Sequence, residues 1–228
     1  MTLHLKAIVL TLTTALAPSA AFATTIYQGT IYNESGFYGG YPAVRAVNQS
    51  GLSITYTSGV TDYDTYVASS PKHYGSSSSN GVFDQLPTFI DLDFGSAITF
   101  TDFGLWNDND YQGIKNFNIL VSNNSAFSSA TTLGAFTAYF NTASNPNGAL
   151  VDHSNALDIQ LFDLGSVTGR YVRVEVLSAH SNTYSNFGEF IFGGSISNNV
   201  SAIPEPASAF AVCGLLVSGM FLRSRKQR

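Results

Sequence analysis

The acidic loop Asn107–Gly113 imitates a known cation-binding pattern. Read from Asp108, it places carboxylates, an amide and a glycine as the first half of an EF-hand loop does. The twelfth position of that pattern must supply a bidentate carboxylate, and here it is Ile119. Strand-like rather than helix-like segments flank the loop. The spacing therefore argues against an EF-hand.

Residues of the types used in catalysis are present, but no known catalytic motif joins them. The sequence has no Gly-x-Ser-x-Gly elbow, no His-Glu-x-x-His pair and no phosphate-binding glycine loop. His73, His153 and His180 are widely spaced. Asp152, His153 and Ser154 are adjacent, but a catalytic triad is assembled in space and adjacency does not indicate one. We expect that the protein is not an enzyme.

A saccharide-binding site is the other chemistry that the residue types allow. Such a site combines an aromatic ring with a few polar groups, commonly in loops at one end of a sandwich. Trp106 ends a strand-like segment, so for this residue core packing is favoured over ligand contact. By residue type, the candidate ligand-contacting residues are Trp106, Tyr111, His180, Asn182 and Tyr184.

The elements that would position these residues are predicted to be strands. No helical period persists within Thr24–Ile196, where short β-branched or aromatic runs alternate with Gly, Asn, Ser and Asp clusters. Seven to nine such strands favour an all-β sandwich. The segment Ser69–Gly81 is predicted to be a loop. The predicted strands are Leu52–Thr57, Phe89–Phe94, Ile98–Trp106, Lys115–Ser122, Thr131–Tyr139, Leu157–Asp163, Arg170–Leu177 and Phe187–Phe192.

Charge and cysteine content limit the partners and the redox chemistry of Thr24–Ile196. This segment has five basic and fourteen acidic residues, a net charge of −9. Such a field repels polyanions, so we exclude nucleic acid as a partner. The single cysteine, Cys213, lies outside the segment. No disulfide can therefore form within it, and burial of apolar surface must hold it together.

The N-terminal residues have the pattern of a secretory signal peptide. Lys6 precedes the apolar stretch Ala7–Ala17, and Ala21-Phe22-Ala23 provides small residues at the positions that a signal peptidase requires. We expect cleavage after Ala23. Residues 1–23 are then the signal peptide and residues 24–196 the exported domain.

The C-terminal segment 204–228 combines three features in a fixed order. Pro204, Glu205 and Pro206 keep the chain extended. The uncharged run Ala207–Leu222 has 16 residues, which is short for a transmembrane helix, since a bilayer core takes about 17–25. Basic residues at the end of the run favour the cytoplasmic face. They are Arg223, Arg225, Lys226 and Arg228.

This order resembles the PEP-CTERM sorting signal of Gram-negative bacteria, which exosortase-type membrane proteases process. The resemblance implies transient passage through the inner membrane, processing by an exosortase-type protease, and delivery to the cell surface or extracellular matrix. Residues 197–203 would link the domain to this signal. A plain C-terminal membrane anchor is the alternative.

Four segments of the domain, taken in order, resemble the discoidin family of coagulation-factor C-type, or galactose-binding-like, domains. They are Phe89–Thr99, Lys115–Ser122, Thr168–Val176 and Gly188–Phe190, and the similarity extends over about Tyr41–Phe192. The resemblance implies a jelly-roll β-sandwich. It also implies recognition of glycans or of an extracellular polymer such as an exopolysaccharide.

Domains of that family often hold one structural Ca²⁺ between an early loop and the closing strand. Mapped by the resemblance, the ligands here are Asn48 with neighbouring carbonyls and Glu189. The family usually has Asp at the position of Asn48, so this site would be weaker. In the alternative interpretation, Glu189 only caps an edge strand.

The sugar site of the fucose-binding lectins of this fold is not implied. Those lectins use a His with an Arg-x-Asp-x₄-Arg/Lys motif, and Asp110 and Lys115 match only its second half. Phe83 and Asp108 stand at the His and Arg positions. A structural matrix or biofilm protein without a defined ligand is therefore the alternative function. Ice binding is disfavoured because no Thr-x-Thr ladder repeats.

Overall fold

The computed structural model describes residues 23–74, 81–108, 112–139, 156–180 and 184–197. Within them the chain is mostly β-structure, and the strands pair in antiparallel fashion. The expected all-β class is therefore confirmed. The strands are β1 (Thr25–Tyr27), β2 (Thr30–Glu34), β3 (Lys72–Tyr74), β4 (Gly81–Phe83), β5 (Thr88–Asn107), β6 (Ile114–Ser122), β7 (Thr131–Thr137), β8 (Ala156–Ala179) and β9 (Ser185–Ile196).

Two long strands, β5 and β8, run side by side through the whole sheet, whose order is β1-β9-β5-β8-β6-β7. Their register shifts between Asp93 and Ile98, where Gly95 has a φ of +74°. A register shift of this kind bends a strand pair and increases its twist. The first half of β5 also pairs with β2, while β6 pairs with the second half of β8.

The bend folds the two halves of the sheet over a shared aromatic core. Phe103 from the second half of β5 lies 5.6 Å from the ring of Phe117 on β6, a strand of the other half. The ring of Phe192 on β9 is 4.9 Å from Phe103 on its other side. All three rings are buried. Contacts between non-neighbouring strands define the two layers of a sandwich.

Strand β9 is buried on both faces, because a second apolar cluster covers it opposite the main core. Ile191 belongs to this cluster together with Trp106 of β5. A short helix, α1 (Tyr63–Ala68), supplies Tyr63 and Tyr66 to it. Asp62 caps α1 by accepting a hydrogen bond from the Thr65 backbone N–H at 2.8 Å, a stabilising helix start.

Several sequence expectations change in detail. Phe89–Phe94 and Ile98–Trp106 belong to one bent strand rather than two. The prediction of a strand at Leu52–Thr57 is wrong, because this segment is a loop whose Leu52 and Tyr56 side chains pack onto the second cluster. Helix α1 was not predicted, and β3 lies inside the expected loop Ser69–Gly81.

The transmembrane run Ala207–Leu222, the sorting residues and the signal peptide up to residue 22 lie outside the described residues. Among the residues that are described, no helix is long and apolar enough to cross a membrane.

Candidate functional site

Glu189 of β9 is fully buried, with 0% of its surface exposed. Its Oε1 accepts a hydrogen bond from the Gln49 backbone N–H at 2.7 Å. Its Oε2 is also buried and has no hydrogen-bond partner among the described residues. Burial raises the pKa of this carboxyl to about 8, against an ordinary 4.5. An acidic oxygen buried without a partner is uncommon, and it calls for a proton or a cation.

The early loop is held against Glu189 by the conformation of Gln49. Gln49 has a φ of 62°, in the left-handed region that few non-glycine residues adopt. Its side-chain Oε1 accepts from the Tyr56 backbone N–H at 2.8 Å. The side chain of Gln28 in turn donates to the Val47 carbonyl oxygen. The structure thus brings the early loop to the closing strand, as the family resemblance implied.

His73 packs as a neutral ring between Gly188 of β9 and Gly51. A Cβ atom on Gly188 would lie 2.5 Å from His73 Nδ1, and one on Gly51 would lie 2.8 Å from His73 Nε2. The ring therefore requires glycine on both sides. Burial lowers the pKa of His73 to about 4. The neutral ring donates from Nε2 to the Ser50 carbonyl oxygen at 2.8 Å.

Asn48 takes a different position from the one expected of a cation ligand. Its side chain is exposed, and its Oδ1 accepts from the Ser50 backbone N–H at 2.9 Å, which closes a local turn. The neighbouring residue Gln49, not Asn48, contacts Glu189. No group of three His, Cys, Asp or Glu side chains that could hold a metal occurs in the described residues. A cation at Glu189 would depend on this carboxylate and on backbone carbonyls.

The interpretation of Trp106 as a ligand platform is wrong. The side chain is 0% exposed, and its indole N–H donates to the Pro71 carbonyl oxygen at 3.1 Å. It packs with Leu157 and Ile191 in the second apolar cluster. A ring enclosed on both faces offers no surface to a sugar, so Trp106 is a core residue.

Of the other candidate saccharide contacts, His180 and Tyr184 are among the described residues. Tyr184 is exposed, while His180 is half-buried with a pKa lowered mainly by burial. Its backbone N–H donates to the Gly113 carbonyl oxygen at 3.1 Å. Tyr111 and Asn182, the remaining two candidates, lie outside the described residues.

Sequence reasoning missed a polar cluster on the outer face of β5 and β8. Arg173 binds Asp91 through two hydrogen bonds of 2.6 and 2.8 Å. Its guanidinium also lies 4.0 Å from the centroid of the Phe89 ring and 4.7 Å from that of Phe127. The alternation of polar and apolar residues in Arg170–Leu177 placed Arg173 on an outer face, but only the register of β5 against β8 identifies its partner.

Comparison with known proteins gives the class of fold. No family model and no curated protein sequence matches the chain. A fragment of a putative chitobiase from Bacteroides thetaiotaomicron has a similar structure, with a TM-score of 0.52 and 12% identity over 79% of this chain and 99% of that one.

Two family 32 carbohydrate-binding modules are also similar. The module of C. perfringens NanJ, solved with galactose, has a TM-score of 0.47 and 11% identity over 75% of this chain and 98% of that chain. The module of AlyQ, solved with 4,5-unsaturated mannuronic acid, has a TM-score of 0.45 and 14% identity over 73% and 96%. The chain therefore shares the fold of the chitobiase fragment.

Proposed function

We propose that this protein is an exported, non-enzymatic module that binds a glycan or an extracellular polymer. The observation that carries the proposal is its fold, a discoidin-like sandwich shared with a fragment of a putative chitobiase along almost all of that fragment. Two family 32 carbohydrate-binding modules are among the other structural neighbours. A fold alone hosts many functions, so the binding itself must be measured.

A structural Ca²⁺ at Glu189 belongs to the same proposal. The unpartnered Oε2 of Glu189 fits a hard cation, and carbonyls of the adjacent loop would complete the oxygen ligands. When bound, the ion supplies a positive charge that compensates the buried carboxylate. The chain's own contribution is to exclude water and to hold the loop at Gln49 against β9. Asn48 would take part through its backbone, because its side chain already closes a turn.

For localisation we propose sorting by an exosortase-type system. The support is the order of the features at residues 204–228 together with the signal-peptide pattern at residues 1–23. The module would then act at the cell surface or in the extracellular matrix of a Gram-negative bacterium.

A structural matrix protein without a defined ligand is the second candidate function. The observation that favours it is the burial of Trp106, which removes the largest aromatic ring among the expected sugar contacts.

A thermal melt of the full-length chain, run with Ca²⁺ and with chelator beside a glycan-array screen, tests the proposal. Binding to saccharides and a higher melting temperature with Ca²⁺ are expected. The matched variant Glu189→Gln should lose the response to Ca²⁺ and keep the saccharide specificity. An empty array with the folded protein would support the matrix role instead. If the melting temperature of the parent protein is the same with Ca²⁺ and with chelator, the proposed structural Ca²⁺ is refuted.

A further inference from the structure

An open groove lies between strand β2 and the segment that carries the 3-10 turn Ala43–Ala46. Its volume is about 450 Å³, within the range of roughly 300–1,000 Å³ common for small-ligand sites. Polar side chains from both sides line it together with apolar ones. They include Gln28, Thr30, Glu34, Asn48, Pro42 and Val44.

Two tyrosines lie next to this groove, in the turn that leads into it. The side chain of Tyr38 is 49% exposed, and its ring centroid is 6.1 Å from that of Tyr41. The guanidinium carbon of Arg45 lies 5.3 Å from the Tyr41 centroid. Tyr41 directly precedes the groove residue Pro42, and Arg45 directly follows Val44. The aromatic pair therefore belongs to the chain segment that leads into the groove wall, although neither ring lines the groove itself.

Hydrogen bonds to backbone carbonyls fix the walls of the groove and the turn that carries the aromatic pair. The Tyr38 N–H donates to the Val82 carbonyl oxygen at 3.0 Å, and the Tyr41 N–H donates to the Tyr38 carbonyl oxygen at 3.0 Å. At the far wall, Gln28 donates to the Val47 carbonyl oxygen. Preorganised walls of this kind lower the entropy that a ligand must lose on binding.

From this arrangement we propose that the groove, extended by Tyr38 and Tyr41 of the adjoining turn, is the saccharide-binding site. The inference rests on the glycan-binding function proposed above and gives it a location on β2 and the segment Pro42–Asn48. The apolar face of a pyranose ring packs against exposed tyrosine rings. The Glu34 carboxylate accepts hydrogen bonds from vicinal sugar hydroxyls, while the Thr30 hydroxyl and the Asn48 amide can give and accept them.

The charge of the domain selects the class of saccharide. Residues 24–196 carry a net charge of −9, and the groove itself presents the exposed carboxylate of Glu34. Both disfavour uronic or sulfated sugars through like-charge repulsion. The expected ligand is therefore an uncharged hexose residue within a glycan chain.

The test compares variants of the full-length protein by affinity electrophoresis in gels that contain neutral polysaccharides, beside an array that includes neutral and acidic glycans. Tyr38→Ala and Glu34→Gln should each weaken binding of a neutral saccharide at least tenfold. Tyr139→Ala is the matched control, because Tyr139 is a tyrosine of similar exposure, 55%, that follows β7 and is not part of the segment leading into the groove wall. It should bind as the parent protein does. Unchanged melting temperatures show that the variants are folded.

The outcomes separate the site from the function. If the parent protein binds saccharides and both groove variants bind equally well, the groove is not the site, although the proposed function stands. Loss of binding in Tyr184→Ala alone would place the site near Tyr184. If the folded parent protein binds no saccharide at all, both the proposed function and the assignment of the groove as the binding site are refuted. Preference for acidic over neutral glycans would overturn the ligand class.

Discussion

The two arginine–aspartate pairs on β5 and β8 differ in their access to solvent. Asp91 is 0% exposed beneath Arg173, whereas Arg170, paired with Asp93 at 2.7 Å, is 44% exposed. Asp91 also accepts a hydrogen bond from the Asn33 side chain at 2.9 Å. Removal of the positively charged partner therefore costs far more stability at a buried carboxylate than at an exposed one.

We therefore predict that Arg173→Ala destabilises the fold by about 3–5 kcal/mol, since it leaves the charge of Asp91 buried and uncompensated. Arg170→Ala is the matched control and should cost much less, because solvent screens Asp93. Urea denaturation of both variants measures the difference. If both variants lose the same free energy of unfolding, burial of Asp91 does not determine how much its ion pair contributes.

Glu189 and His73 make the stability of the cation-free protein depend on pH in opposite directions. The pKa of Glu189 is raised to about 8. Its contribution to the free energy of unfolding is therefore fully present below pH 4.5 and is lost as the pH rises to 8. The pKa of His73 is lowered to about 4, so its contribution is lost as the pH falls below 6.5. Tyr56 and Tyr66 face Glu189, and their raised pKa values keep them neutral throughout.

Among the described groups with a shifted pKa, Glu189 is the one whose contribution changes between pH 6.5 and 8, because burial lowers the pKa of both His73 and His180 from 6.5. The free energy of unfolding in chelator should then fall with rising pH, by on the order of 1–2 kcal/mol over this window. Chemical denaturation at several pH values measures the slope. Glu189→Gln should flatten it, and a variant with the parent slope would contradict the assignment to Glu189.

The residues of this region were only partly predictable. Glu189 stood out because it follows a glycine and precedes an apolar strand. The contact of Gln49 with it depends on a left-handed backbone at a non-glycine residue, and sequence favours glycine or asparagine at such positions. The resemblance that points to Asn48 carries no information on which backbone group of the loop contacts Glu189.

At the scale of elements, the packing of β9 against β3 depends on a glycine. Gly188 of β9 leaves room for the His73 ring of β3, and a methyl group there would lie 2.5 Å from Nδ1 and 2.7 Å from Cγ. The His73 ring cannot move away from Gly188, because Gly51 packs against its opposite edge.

Gly188→Ala should accordingly lower the stability by about 1–3 kcal/mol through overpacking. Gly134→Ala in β7 is the matched control, because no atom lies within 4 Å of its added Cβ, and it should be neutral or slightly stabilising. Thermal unfolding of both compares them. Combining Gly188→Ala with His73→Ala should recover part of the loss. No recovery in the double variant would mean that the clash involves another group.

Strand positions were predictable from alternation, while their continuity was not. Val172, Val174 and Val176 marked β8 correctly, because one buried face imposes a period of two. The joining of two predicted strands into β5 depends on a bend that pairing with β8 stabilises. Leu52–Thr57 failed because apolar residues in a loop can pack onto a core without extended backbone.

At the scale of the whole molecule, the sorting hypothesis gives a further prediction. Replacing Pro204 and Pro206 by alanine should abolish processing, so that a longer, uncut form accumulates in the inner-membrane fraction of a host with an exosortase-type system. Mass spectrometry of cell fractions measures the tail. Asn199→Ala, in the expected linker, is the control and should be processed normally. Normal tail removal in the proline variant would refute recognition of this motif.

The fold class followed from the sequence as a whole, since no helical period competed with the strand pattern. The order of strands did not, because it pairs segments that are distant in the chain. Thr25 of β1 lies opposite Gly194 of β9, and β9 is also the partner of β4. Single-sequence patterns carry no information on such long-range pairs.

The pairing of β1 with β9 has a consequence for how the molecule forms. Strand β1 can pair only when β9 is present, so closure of the sheet is a slow, non-local step. It cannot proceed along the chain from one end. Until Ser185–Ile196 has been made, β1 and β4 lack their partner and their apolar residues stay in water. Unpaired edges of this kind are prone to aggregation. A factor that keeps the nascent chain extended until its final strand emerges would therefore raise the yield of folded protein.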